Sequence, residues 1–248
     1  MTILDTQIVS YKFRESKGFD IKGCVIPSIV AIEFLLLQAP QPHKANYYIP
    51  RNRKFFQIEG GIANIVHPFN KRSTDRVIFD FGPFYPPFSM FSNFGISDLI
   101  NEKDYLLFNF AIKFLDKPIQ KKLRNRIKFL FDNNLSCEPL LETDIEKSYE
   151  LLDLFLSRYN AKDDFRNTWN DILILCKALN NEAIVYTEDK LLARFASEIF
   201  QGSINSHGDG LIIDFSISNR QEAESNRESK WYVNRGWQYR MKKARYAM

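Results

Sequence analysis

Four carboxylates in this 248-residue sequence, Asp5, Glu33, Asp171 and Asp189, sit where an acid is out of keeping with its neighbours. Glu33 is the only charged residue between Ser28 and Leu37, and helical spacing puts Ile29, Val30, Leu36 and Leu37 on its own face. An unpaired carboxylate buried there costs several kcal/mol, so it needs a base, a proton or a metal ion unless its head reaches solvent at the helix edge. Perturbed acids in apolar settings tend to mark sites, which favours function. Asp5 closes the apolar run Thr2-Ile3-Leu4. At a strand's carboxyl end it points where ligands bind in open α/β sheets, although alone it reads as a turn residue. Asp171 precedes the apolar Ile172 to Cys176, and its spacing from Thr168 also fits a capping pair. Asp189 follows a predicted strand and equally fits a helix N-cap. Their conjunction carries the argument, because an α/β sheet can gather all four positions at one edge.

Carboxylates with no histidine or lysine among them suit Mg²⁺ or Mn²⁺, which prefer oxygen ligands. Two such ions about 3.5–4 Å apart can activate a water and neutralise the leaving oxygen of an in-line phosphodiester displacement. A nest of acids repels phosphate, so flanking bases must hold the strand. Between Trp231 and Met248 the bases Arg235, Arg240, Lys242, Lys243 and Arg245 occur without an acid, interleaved with five aromatic residues. Together with Trp237 these bases are the candidate nucleic-acid contacts, since bases bind phosphates and rings stack on nucleobases. A basic amphipathic helix packed on the body accounts for the same composition.

The elements that must position these residues follow from local pattern. Thr2-Ile3-Leu4 reads as a buried strand, and Pro27 opens a helix over Ser28 to Leu37 closed by Pro40 and Pro42. Twelve aromatics between Tyr47 and Phe94 set that stretch apart. Within it, residues 54–66 suggest a hairpin about Gly60-Gly61, and Arg76 to Phe81 a third strand. Asp98 to Asn134 has helical periodicity interrupted at Pro118, with a basic face of Lys121, Lys122, Arg124, Arg126 and Lys128. The second half alternates: a strand at Cys137–Leu141, a helix opened by the capping box Thr143 to Glu146, a helix from Thr168 to Leu179, a strand at Ala183–Thr187, a helix from Asp189 to Phe200 and a last strand at Leu211–Phe215. Residues 220–230 read as a solvated connector.

Composition removes other classes. Hydrophobic residues make up 45% and charged residues 26%, so the chain as a whole is an ordinary globular sequence. No apolar run reaches the roughly 18 residues that cross a bilayer, and the start lacks a basic, cleavable leader, so a cytoplasmic protein without membrane contact is expected. Cys24, Cys137 and Cys176 are isolated, which suits reduced thiols better than disulfides or zinc.

The runs Ile3-Leu-Asp5-Thr6, Pro27-Ser-Ile-Val-Ala-Ile-Glu33-Phe-Leu, Asn170-Asp171-Ile-Leu-Ile-Leu-Cys-Lys-Ala-Leu and Ile184-Val-Tyr-Thr187-Glu-Asp189, in that order, resemble the PIN-domain ribonucleases. That family includes the toxins of many type II toxin–antitoxin pairs. The resemblance covers residues 1–40 and about 135–215. It implies an α/β fold with a central parallel sheet flanked by helices, a Mg²⁺ or Mn²⁺ site of four acids, and hydrolysis of RNA. Asp5, Glu33, Asp171 and Asp189 take the acid positions, with Thr6 and Thr187 as supporting hydroxyls. The implied organisation is a nuclease domain at 1–40 and 135–219, an insertion at 41–134, β-rich then basic and helical, and a connector with basic aromatic tail at 220–248. RNA, an antitoxin or other regulatory protein, and a second copy of the chain are the expected partners. The long insertion and the tail depart from the small toxins of the family, which puts substrate and regulator in question. A PIN-like binding module that does not cut, and a DNA-directed flap-type nuclease, are the competing readings; retention of all four acids argues against the first, and the lack of arch or helix-hairpin-helix signatures against the second. Glu188, Asp163, Asp164 and Asp214 fit the acid positions less well.

Overall fold

The computed structural model describes residues 1–14, 20–36, 49, 76–80, 89–162, 165–200, 203–207, 210–215 and 238–242. In chain order these form β1 (Thr2–Leu4), α1 (Thr6–Phe13), β2 (Val25–Pro27), α2 (Ser28–Phe34), β3 (Arg76–Asp80), β4 (Ser89–Ser92), α3 (Asn93–Asn101), α4 (Tyr105–Ile112) and α5 (Lys117–Asp132). There follow β5 (Ser136–Glu138), α6 (Glu142–Arg158), α7 (Phe165–Asn180), β6 (Ile184–Thr187), α8 (Lys190–Phe200), β7 (Ser203–His207), β8 (Gly210–Asp214) and β9 (Gln238–Lys242).

The chain is α/β, with a central six-stranded sheet ordered β5-β2-β1-β6-β8-β7 and flanked by helices. Its first four strands are parallel, as expected, but β8 runs antiparallel to both β6 and β7, so the sheet is mixed rather than parallel. The cause is local. His207 pairs with Gly210 across two residues, and strands joined that tightly can only return antiparallel. The strand that follows α8 is thus β7 at the sheet edge, and β8 folds back between it and β6. Sequence reading found β8 through its apolar Leu211-Ile212-Ile213 and missed the polar edge strand Ser203-Ile-Asn-Ser-His207. Gly210 is required there because a Cβ would run into the Tyr186 ring.

Ile3, Ile26, Val185 and Ile213 are fully buried in the sheet, and α7 is sequestered along most of its length from Phe165 to Ala178. Helices α3 to α5 contribute Ile96, Phe108, Leu123 and Ile127 to the same buried cluster. Pro118 sits in the first turn of α5, where its missing N–H is harmless, so it opens that helix rather than interrupting one. The box expected at Thr143 to Glu146 lies two residues earlier: Leu141 N–H donates to Asp144 Oδ2 at 2.7 Å and Asp144 N–H to Leu141 O at 3.1 Å.

The open edge of β5 is closed by two asparagines on α3. Asn101 Nδ2 donates to Cys137 O at 2.8 Å while its Oδ1 accepts Cys137 N–H at 2.7 Å. Asn93 Nδ2 donates to Leu140 O at 2.7 Å, and its Oδ1 accepts from Leu140 N–H at 2.8 Å and Ser28 Oγ at 2.6 Å. Each amide imitates a neighbouring strand, which spares the edge from pairing with another chain. Asn93→Ala should therefore cost at least about 2 kcal/mol, since it orphans two buried backbone groups; urea unfolding measures this, and a loss under about 0.5 kcal/mol would show that water replaces the clamp.

A second sheet, β4-β3-β9, joins the two ends of the sequence's aromatic and basic regions. Ile78 is in register with Arg240 and Arg76 with Lys242. Residues 238–242 are thus a strand, not part of a terminal helix. The expected hairpin at 54–66, the connector at 220–230, and Arg235, Trp237, Lys243 and Arg245 lie outside the described residues.

Candidate functional site

Chain order creates the site. From β1 the chain moves outward through β2 to β5, then returns to place β6 on the other side of β1. The carboxyl ends of β1 and β6 therefore border the point where strand order reverses, the place where open α/β sheets bind ligands. Leu4 is in register with Tyr186, so the residues that follow, Asp5 and Thr187 to Asp189, face one another across this crevice.

Asp5 is the N-cap residue of α1, but its side chain makes no capping bond. It accepts Thr187 Oγ1 at 2.6 Å, and both residues are buried. Glu33 enters from α2, held at both oxygens: Thr6 Oγ1 donates to Oε2 at 2.5 Å and Asn170 Nδ2 to Oε1 at 2.6 Å. Thr6 and Thr187 thus each donate a hydroxyl hydrogen bond to one of the acids. Asp189 does cap α8, its Oδ1 accepting Leu191 N–H and Leu192 N–H at 2.8 and 2.9 Å, while Oδ2 faces the site. Capping and site roles coexist because a carboxylate has two oxygens.

Asp171 differs from expectation. Helix α7 begins at Phe165, so Thr168 and Asp171 lie within it and form no capping pair. Instead both receive Lys162: its backbone N–H donates to Thr168 Oγ1 at 2.8 Å and its Nζ to Asp171 Oδ2 at 2.5 Å. The same ammonium reaches Asp189 Oδ2 at 2.5 Å. Phe155, Ile172 and Leu192 complete a small recess around these groups. The reading that no lysine stands among the acids is thus corrected. Lys162 lies 9 residues from Asp171 and 27 from Asp189, on the link between two helices, and no local pattern announces it. Asn170 carried a signal in its adjacency to Asp171, but a role only once Glu33 was beside it.

Lys162, with Arg166 acting on Glu33, does not neutralise four acids, and the proton affinities follow. Burial raises Asp5, opposed by its bond from Thr187, and Asp189 adds to the rise. Burial also raises Glu33 against the bonds from Thr6 and Asn170, with Asp5 adding repulsion. Asp171 is pushed well above the ordinary range, first by burial and then by Asp5, despite Lys162. Asp189 alone goes down: burial opposes this, but bonds from Lys162 and the N–H groups of Leu192 and Leu191 prevail. Lys162 is raised, the pull of Asp171 and Asp189 exceeding the effect of its own burial. Asp5 is the link: it acts on Glu33 and on Asp171, and Asp189 acts on both Asp5 and Asp171, so the four acids form one connected electrostatic set. No family model, curated protein or solved structure matches this chain. The site must be read from its own chemistry.

Among the described residues no three Asp, Glu, His or Cys side chains are gathered closely enough to ligate one ion as they stand. What does fit a metal is the donor set, all oxygens, and the cation already drawn between Asp171 and Asp189. No described helix is long and apolar enough to cross a membrane. Of the expected tail contacts, Arg240 and Lys242 fall in β9 and are not brought to this site by any described contact.

The shifts fix a pH dependence. An acid raised in the fold contributes stability below its unfolded pKa, near 4, and loses it as pH rises through the folded value. Asp5, Glu33 and Asp171 behave so, while Asp189 has the opposite sign and is outnumbered. Metal-free protein should therefore lose this contribution, and melt at lower temperature, as pH is raised above about 4. Saturating Mn²⁺ should flatten that slope. A Tm that rises over this interval in EDTA would mean the acids are not mutually repelling.

Proposed function

We propose that this chain is a metal-dependent endonuclease that hydrolyses phosphodiester bonds of RNA at Asp5, Glu33, Asp171 and Asp189, in the manner of the PIN-domain ribonucleases its motifs resemble. One observation supports the reading above others. Acids from four distant segments converge at the strand-order reversal, and three of them are held in a state that disfavours their charge. A fold that keeps such repulsion at a ligand-binding edge needs positive charge there.

Asp5, Asp171, Asp189 and Glu33 would hold Mg²⁺ or Mn²⁺. Bound there, the ion supplies a Lewis acid that makes water nucleophilic at neutral pH and offsets charge building on the phosphate. The chain's own groups orient the rest. Thr187 fixes the rotamer of Asp5, the α8 N–H groups fix Asp189, and Thr6 with Asn170 pins both oxygens of Glu33. Burial raises the proton affinity of Glu33 above that of an ordinary glutamate, against the bonds from Thr6 and Asn170, so its carboxylate is the more basic for it.

The experiment is cleavage of labelled single-stranded RNA by purified protein with Mg²⁺ or Mn²⁺, with and without excess EDTA. Cleavage should require the metal and survive a zinc-selective chelator. Full activity in EDTA would sink the metal mechanism. The observation favouring a binding module that does not cut is Lys162, which already bridges two of the acids; no cleavage with either metal, and no metal binding, would establish that alternative. A toxin or defence role belongs to the same proposal and is tested by a small adjacent gene whose product suppresses the cleavage.

A further inference from the structure

Helix α5 carries an arrangement of charge that works against its own stability. Its sixteen residues hold six bases and a single acid, the terminal Asp132, and its first turn lacks the acids that suit a helix N-terminus. Lys117 and Lys121, Lys122 and Arg126, and Arg124 and Lys128 are each four apart, so every such pair on the helix surface repels. The acids at the two ends offset this only in part, Asp116 as the N-cap residue and Asp132 four residues after Lys128. Lys117, Lys121, Lys122 and Lys128 are exposed and make no salt bridge among the described residues, and Arg124 is steered by neutral groups, Asn109 Oδ1 at 2.7 Å and Gln120 Oε1 at 2.9 Å. The helix is nevertheless firmly seated, through Leu123, Ile127 and Leu130 in the core.

Two further features give the charge a direction. Arg126 donates to Phe34 O, and its guanidinium lies 5.1 Å from the Phe34 ring centre, which anchors α5 beside the residue that follows Glu33. Just before the helix, the Phe114 side chain is exposed, 59% accessible, a large ring left in water at the head of a row of lysines. Lys113 Nζ approaches that ring to 4.8 Å. Bases tracking a backbone and an open ring for a nucleobase are what single-stranded nucleic acid requires.

We infer that Lys117, Lys121, Lys122 and Lys128 of α5, with Phe114 at its head, form the track that holds the phosphates of single-stranded RNA and leads the strand to the Glu33 side of the acid cluster. The choice of polyanion rests on the nuclease reading. An anionic membrane fits less well, because the apolar face of α5 is already spent on the core and leaves no stripe to insert.

The test separates binding from cleavage by working in EDTA. Affinity for a short fluorescein-labelled single-stranded RNA is measured at about 50 and about 200 mM salt for wild type, for the triple variant Lys121→Ala, Lys122→Ala, Lys128→Ala, and for Phe114→Ala. Each phosphate contact on a single strand contributes about 0.7 to the salt slope, so the triple variant should lose about two units of slope and bind at least about tenfold more weakly at low salt. Phe114→Ala should weaken binding about fivefold or more with the slope unchanged. Relieved repulsion should leave the triple variant's low-salt Tm equal to or above wild type, which shows that folding is not the cause. Wild-type affinity and slope in the triple variant would overturn the inference. So would phosphatidylserine vesicles that bind wild type as well as the RNA does and lose it in the triple variant. Loss of RNA binding with no cleavage under any condition would leave this track in place and remove the nuclease reading instead.

Discussion

Asp171→Asn should abolish RNA cleavage, by about 10³-fold or more, and make the metal-free protein more resistant to heat. The two effects come from one cause. Asp171 is held well above its ordinary pKa by burial and by Asp5, even with Lys162 at 2.5 Å. Its ionised form is therefore disfavoured in the fold, and asparagine, the neutral isostere, removes that penalty. The sign follows from linkage: a raised acid costs stability as pH climbs from its unfolded pKa, near 4, through its folded one, so the variant's advantage should grow as pH is raised above about 4. Lys162 keeps Asp189 as its partner, which limits what the substitution gives up. An ion that needs the carboxylate loses it, so Mn²⁺ should raise the variant's Tm far less than the wild type's. Melting curves across pH with and without Mn²⁺, together with a cleavage assay, settle each part. A variant that cuts at the wild-type rate would remove Asp171 from the site.

Lys162→Met should have the opposite signature, a less stable metal-free protein that binds Mn²⁺ more tightly. The ammonium joins two carboxylates whose side chains are 17% and 9% exposed, while its own is 32% exposed. Breaking a buried pair costs about 3–5 kcal/mol, and partial exposure reduces this to about 2–3 kcal/mol here. The loss should grow as pH rises, because at lower pH Asp171, with its raised proton affinity, can take up a proton instead. The same ammonium competes for oxygens that a divalent cation needs, so removing it should lower the Mn²⁺ dissociation constant about tenfold or more, which calorimetric titration reads directly. Saturating Mn²⁺ would then restore most of the lost stability. Equal or weaker Mn²⁺ affinity in the variant would show that Lys162 is part of a finished structural cluster and not a placeholder for a metal.

Glu33 shows how far sequence could go by itself. One acid in a run of apolar residues is legible because burial of charge is forbidden unless something compensates it, and that rule needs no coordinates. Asp5 and Asp189 were legible for a related reason: each ends a short apolar strand, and strand ends in an α/β pattern collect at one edge. The alternation of strand and helix in the second half likewise fixed the α/β class, since an apolar strand must be covered on both faces. What these arguments lack is contact between distant residues. Strand order, the antiparallel β8 slipped between β6 and β7, the Asn93 and Asn101 clamps on β5, and β9 joined to β3 depend on which surfaces meet, and β7 is too polar to announce itself. Lys162 is the clearest case. Its sequence neighbours say nothing of Asp171 or Asp189, and it came to lie between them because α6 and α7 pack side by side and turn their connecting link toward the edge where the acids repel. Local periodicity decides which residues must be buried or charged, but only the closing of the sheet decides which charges have to share one space.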